Sequence, residues 1–345
     1  MTHKVTILPV LFAVAYCNPA LGQTSPAILK VEVQDLVYYE IDTADSSKFG
    51  TNPNVTSSGL SCTAQSFQGH LGNRVVAVGD IVAVNGQPVK GTYAPSGVTL
   101  CLSPTPVPGQ AIADTTHGPI VNETYEFLQS DGTPIGTVMS NALRVGGPSP
   151  PGPSAGTLNT VIVGGTGAFF GARGQIGNPN AMQGLSQSGA SATRSITEDP
   201  ANRRLNKGGH VMFTLYVVPW SRPEIAMTAG GPAVTHSNDF SLVSASRPAA
   251  SGEILSVFAN GLGPTRPGLD PGQPFPSNPP AVVNSPLDIT VNGKSAEVLA
   301  AVGIPGTVDS YQVNFRVPPD IGKASAIIRI SSAWVASAPV SVSIQ

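Results

Sequence analysis

Charge is what this chain has least of. Asp, Glu, Lys and Arg make up 11% of its 345 residues, less than half the share of an ordinary globular protein. The formal net charge is −2 and no Lys/Arg cluster occurs, so the electrostatic footprint of a nucleic-acid binder is missing. No later stretch reaches the roughly 18 consecutive apolar residues of a membrane-spanning helix, so no membrane span is expected. There are 3 cysteines, none paired at zinc spacing. His70, His117, His210 and His236 are scattered singly, and no metal or organic cofactor is implied. Helical periodicity is absent over any useful length, which argues against helical bundles and α/β folds.

Turn-formers are abundant instead. With 38 Gly and 33 Pro, about a fifth of the chain is one or the other, still below the level of disordered segments. Together with many Val, Ser and Thr, this predicts an all-β protein of short strands joined by loops. Residues 1–22 read as a secretory signal peptide. His3 and Lys4 form a basic start, Val5 to Tyr16 is apolar, and Ala20-Leu21-Gly22 supplies small residues for cleavage after Gly22. Tyr16 before Cys17 is a poor fit to lipoprotein processing, which wants a small residue there. The expectation is a secreted protein, extracellular or periplasmic. Cys62 and Cys101 then remain, and an oxidising compartment permits a disulfide worth about 3–4 kcal/mol. Two separate buried thiols fit the sequence as well.

Ile28 to Ile41 alternates. Val31, Val33, Val37, Tyr39 and Ile41 form one face; Lys30, Glu32, Gln34, Tyr38, Glu40 and Asp42 form the other. Further strands are expected at Arg74–Val84, Gly97–Leu102, Glu123–Gln129, Pro134–Val145, Leu158–Val163 and His210–Val218, completing a unit over 27–219. Residues 220–232 read as a linker. In 233–345 six strands are expected, at Glu253–Ala259, Leu287–Val291, Ala296–Ala301, Tyr311–Val317, Ala326–Ser331 and Val340–Ile344. Asn292-Gly293 signals a two-residue hairpin turn, and eight prolines in the 23 residues from Pro264 to Pro286 exclude interior strands there. About 110 residues with six or seven strands suit an immunoglobulin-like β-sandwich.

Gly164-Gly165-Thr166-Gly167-Ala168-Phe169-Phe170-Gly171 imitates a dinucleotide fingerprint, but that motif needs a helix directly after the glycines. Gly171, Gly174 and Gly177 follow too quickly, and a tight turn between two strands is the local reading. Extended to Gln175, the same run resembles the turn-and-strand motif of allene oxide cyclases and the related dirigent proteins. Val33 to Asp42 is similar to the first barrel strand of the cyclases, and Val78-Gly79-Asp80-Ile81-Val82 to their second motif. Val98-Thr99-Leu100-Cys101 resembles their cysteine-bearing strand, and His210 to Val217 their closing strand. The matches keep family order from about Lys30 to Val218, with insertions around 51–73 and 178–207. The fold so implied is an eight-stranded antiparallel, calycin-like barrel able to hold one small ligand. The second unit resembles an uncharacterised C-terminal domain of acidobacterial secreted proteins, through Pro248 to Glu253, Gly261 to Thr265 and Tyr311 to Pro318.

The resemblance implies an isomerase chemistry, the ring closure of an unstable fatty-acid epoxide, in which the barrel does mainly steric work. Glu40 matches the family's glutamate that assists epoxide opening electrostatically, and Asp42 stands where an asparagine helps hold a water. Cys101 matches the pocket cysteine and is unavailable as such if bonded to Cys62. Asp42 cannot donate a hydrogen bond unless protonated, the family's water-clamping proline is Lys48 here, and carboxylates at i and i+2 lie about 7 Å apart and repel. Alternation by itself places Glu40 and Asp42 on the solvated face with Lys30, Glu32 and Gln34. Tyr38 (a substrate-binding candidate), Tyr125, Arg144 and Arg173 are lesser candidates for a barrel mouth. No Gly-x-Ser-x-Gly elbow supports a serine hydrolase. The leading expectation is a secreted barrel that binds a small apolar molecule and cyclises or isomerises it. Resemblance to trimeric relatives is consistent with a homo-oligomer. The alternative is a non-catalytic extracellular structural or adhesion protein.

Overall fold

The computed structural model describes residues 25–41, 71–101, 117–143, 159–177, 193–194 and 208–345. Among these residues there is no helix: the protein is all-β. The N-terminal unit contains β1 (Ala27–Ile41), β2 (Leu71–Val84), β3 (Gln87–Cys101), β4 (His117–Leu128), β5 (Pro134–Leu143), β6 (Asn159–Gly167), β7 (Arg173–Gly177), β8 (Thr193–Arg194) and β9 (Gly209–Val218). Neighbours pair antiparallel in the order β2-β3-β4-β5-β6-β7-β9-β1, and β1 also pairs with β2. That last pairing closes an eight-stranded antiparallel barrel, so no edge among these eight is left open. The two-residue β8 lies parallel to Tyr38 and Tyr39, beyond the point where β9 has left β1.

Several strands are longer than their hydrophobic runs. β3 begins at Gln87, ten residues ahead of the alternation expected from Gly97, because Asn85-Gly86 makes a two-residue turn (φ 52° and 78°) that zips β2 to β3 from the hairpin end. Gly164 to Gly167 continue β6 rather than turning, and the reversal falls at residues 168–171. β7, which sequence patterning did not separate, needs Gly174. A Cβ there would lie 1.9 Å from the Tyr216 carbonyl oxygen, so only glycine lets β7 approach β9 closely enough to close the wall.

β1 carries the irregularity that matters most. Its register shifts against β2 between Glu32 and Val33 and again between Gln34 and Val37, and against β9 between Val33 and Leu36. Asp35, inside this bulge, has φ 49°, and its Oδ1 accepts the Gly208 N–H at 3.3 Å. Before the bulge Val33 pairs with buried Ile81 while Lys30 and Gln34 are exposed. Beyond it Tyr38 pairs with buried Ala77, and Glu40 with Val75 two positions further along β2. The two shifts against β2 are of opposite sense, so Val37 to Ile41 pair with β2 in the same register as Val31 and Glu32.

Residues 224–345 form a second, curled sheet folded over one core, a sandwich-like arrangement. Its path runs through Glu224–Ile225, Ile254–Asn260, Ser310–Arg316, Lys294–Gly303, Leu287–Val291, Ala324–Ser332 and Val335–Ala336. Glu224 and Ile225, expected in the linker, pair with Asn260 and Ala259. The proline-rich stretch contributes only the two-residue pieces Thr265–Arg266 and Val282–Val283. Leu255, Val257, Val313, Phe315, Ile328 and Ile330 are buried in this core.

The two units share a packed boundary. Ala333 is buried in the barrel's core cluster, with Trp334 packed against it. Asn284 Nδ2 donates to the Pro134 carbonyl at 2.8 Å, and Gln129 Nε2 donates to the Asn284 carbonyl at 2.6 Å. Arg266 Nη2 reaches Asp131 Oδ2 at 2.7 Å. The second unit therefore covers the barrel end that carries the β2–β3, β4–β5 and β6–β7 turns.

Candidate functional site

β4 places Val121, Glu123, Tyr125 and Phe127 on its inward face, with Asn122, Thr124, Glu126 and Leu128 between them. A glutamate has thus been placed among apolar residues at i−2, i+2 and i+4, and it is only 2% exposed. Its neighbours are set by register. Pro95 on β3 and Ser140 on β5 lie opposite Glu123, and Tyr93 lies opposite Tyr125. Tyr93 Oη donates to Glu123 Oε1 at 3.0 Å, while Tyr125 Oη (3.3 Å) and Ser140 Oγ (2.8 Å) donate to Oε2. Among the described residues no Lys, Arg or His forms an ion pair with it.

Withdrawing a carboxylate from water costs several kcal/mol, and three hydroxyl donors at about 1.5–3 kcal/mol each return a similar amount. The acid is therefore matched to its site, and an apolar residue in its place would strand three buried hydroxyls. Buried carboxylates kept without a counter-charge concentrate at functional sites, which makes Glu123 the strongest candidate in the described lumen.

The described inward residues differ in size along the lumen. Towards the second unit it is filled: Tyr93 and Tyr125 ring centroids are 4.8 Å apart, Tyr93 and Phe213 4.7 Å, and Phe127 and Phe169 5.2 Å. Gly91 and Gly136 oppose Phe127 on the two flanking strands, where a Cβ would lie 2.1 Å from the Glu126 carbonyl oxygen and 2.3 Å from that of Thr166. On the other side of Glu123 the inward residues of the same strands are smaller, with Val121, Ala142 and Thr160 aligned across β4, β5 and β6. Thr160 is buried and its Oγ1 has no hydrogen-bond partner. Glu123 therefore sits between this aromatic cluster and, among the described residues, the smaller Val121, Ala142 and Thr160.

The sequence-derived site residues meet this picture unevenly. The backbone of Glu40 is level with Val121 through the register Glu40–Val75–Gly97–Val121, one inward step along β4 from Glu123. The side chains of Glu40, Tyr38 and Cys101 lie outside the described residues, as do Asp42, Cys62 and Arg144 entirely. Tyr125, a lesser candidate, points into the lumen and binds Glu123. Arg173 is exposed on the outer wall and donates to the Val163 carbonyl at 3.0 Å. Glu123 itself was missed. Its signal was a lone acid in register with Val121, Tyr125 and Phe127, which a search for family motifs passes over.

No family model matches the chain, and no curated protein matches it. Among solved structures it is similar to the N-terminal domain of the Streptococcus gordonii adhesin Sgo0707, at 12% identity over 92% of each chain. The TM-score of that likeness is 0.18, too low to carry an argument.

Proposed function

We propose that this is an exported protein whose barrel binds a small apolar molecule on the small-residue side of Glu123, and cyclises or isomerises it there. The observation that carries the reading is the Glu123 carboxylate, buried with no counter-charge among the described residues and held by three hydroxyls beside an apolar wall. Walls of Val121, Ala142 and Thr160 would restrict the conformations of a flexible guest, which is how shape lowers a ring-closing barrier. The fixed carboxylate would stabilise positive charge developing on the guest, and the Thr160 hydroxyl would take its polar end. The likeness of the barrel sequence to allene oxide cyclases supports the same class of chemistry, with Glu40, whose backbone is level with Val121, as the acid that the resemblance assigns to β1. A homo-oligomer belongs to this reading. Ile28 and Tyr216 are exposed side by side on β1 and β9, and Val161, Val163 and Met139 on β6 and β5, with the exposed Gln175 of β7 between the two groups.

The experiment is mass spectrometry of small molecules that co-purify with the intact protein, compared between the parent and Glu123→Gln. The reading expects an apolar compound on the parent, lost or unconverted on the variant. No bound compound, and identical behaviour of the variant, would leave the non-catalytic structural or adhesion role, which the aromatic filling of part of the lumen also suits.

A further inference from the structure

A cavity lies outside the barrel, at the boundary of the two units. Its volume is about 340 Å³, within the range of sites for small organic molecules. One wall is the β6–β7 turn, where two successive phenylalanines part company. Phe169 is fully buried in the barrel, whereas Phe170 is 57% exposed and lines the cleft. The facing wall comes from the second unit and presents Leu269 and Val308, both also exposed. Apolar side chains left in water on opposite walls of one cleft are unexplained by either unit's own folding.

The polar lining has one sign. Asp270 and Asp309 line the cleft, and among the described residues no Lys, Arg or His does. Asp309 is held in place. Its Oδ1 accepts the Gly261 N–H at 3.0 Å, and the hydroxyl of Tyr311 lies beside it while donating to the Gly263 carbonyl at 2.8 Å. These are neutral partners, and among the described residues Asp309 has no ion pair. We propose that this cleft is a binding site for a small amphiphilic cation, an apolar body of about one ring carrying a protonated amine. The ring would lie between Phe170 and Leu269, and the ammonium would supply the counter-charge that Asp309 and Asp270 lack. Partial burial raises the Asp309 pKa, as expected of a carboxylate short of a cation. An anion or a nucleic acid is repelled by the same lining. The site is independent of the lumen and of whatever the barrel does.

The test uses the full chain and two probes with the same ring, 2-phenylethylamine and the neutral 2-phenylethanol, titrated by NMR or calorimetry at pH 7. The amine should bind at least about tenfold more tightly than the alcohol, a difference of roughly 1.4 kcal/mol. Asp309→Asn should weaken the amine about tenfold and leave the alcohol unchanged. Phe170→Ala, a change at an exposed turn residue, should weaken both probes, and amine affinity should fall on acidification. Equal affinities for amine and alcohol, no binding of either at millimolar concentration, or indifference to both variants would overturn the proposal.

Discussion

The ring of Phe127, from the barrel, and the indole of Trp334, from the second unit, lie with centroids 5.7 Å apart, and Trp334 Nε1 donates to Gln87 Oε1 at 3.1 Å. Trp334 and Ala333 form the two-residue turn of a hairpin, with φ 64° and 46°. Asn292-Gly293 and Asn85-Gly86 make the same left-handed turn with residues that tolerate it. Ala333-Trp334 does so at a cost of about 1–2 kcal/mol per residue, offset because Ala333 is buried in the barrel core and Trp334 packs on Phe127.

Trp334→Gly keeps the turn's backbone without steric cost, so what it loses is the ring. We expect a loss of about 2 kcal/mol, and a single thermal transition in the parent that separates into two in the variant. A variant that still unfolds in one step at the parent's midpoint would show that the ring does not couple the units.

Glu123→Ala removes the acceptor of three buried hydroxyls and leaves a hole. A loss of about 2–4 kcal/mol in urea unfolding is expected. Glu123→Gln, which keeps the volume and can still accept and donate, should lose less than half of that.

Gly174→Ala sets a Cβ against the Tyr216 carbonyl at a φ of 147°. The β7–β9 seam would have to move, so a loss of about 3 kcal/mol or more is expected. Amide exchange should speed up first along β7 and β9. Uniform protection across the barrel would argue against a local seam.

Arg266, and after it Thr133, hold the Asp131 carboxyl well below its ordinary 3.8. A depressed pKa contributes stability that is complete above the ordinary value and lost as pH falls through the depressed one. The penalty of Asp131→Asn, measured by thermal unfolding at pH 7, should therefore shrink as the pH is taken below 3.8.

Asp309 has the opposite sign. Burial raises its pKa above 3.8, against the opposing hydrogen bonds from Gly261 and Tyr311, so the folded state holds the proton more tightly. Stability from this group is complete below 3.8 and lost as pH rises through the raised value. Asp309→Asn should then unfold at a higher temperature than the parent at pH 7, with the gap closing below pH 3.8. This also separates a loss of amine binding from a loss of folding.

The sequence by itself determined the class of fold and most of the strands. Alternation and turn chemistry are local, so Leu287–Val291, Val340–Ile344 and the Asn292-Gly293 turn were legible without coordinates. Tertiary structure alone decided what surrounds the buried Glu123 and where β1 bulges. Neither the bulge at Asp35 nor its Gly208 partner, 173 positions away, leaves a periodic trace. Glu123 acquired its hydroxyl partners only when β3 and β5 brought Tyr93 and Ser140 to it. The cleft beside Phe170 exists only because two separately patterned units pack together. Periodicity reports which face of a strand is apolar; which strands meet across a closed barrel, and what their polar exceptions then touch, is fixed by long-range pairing.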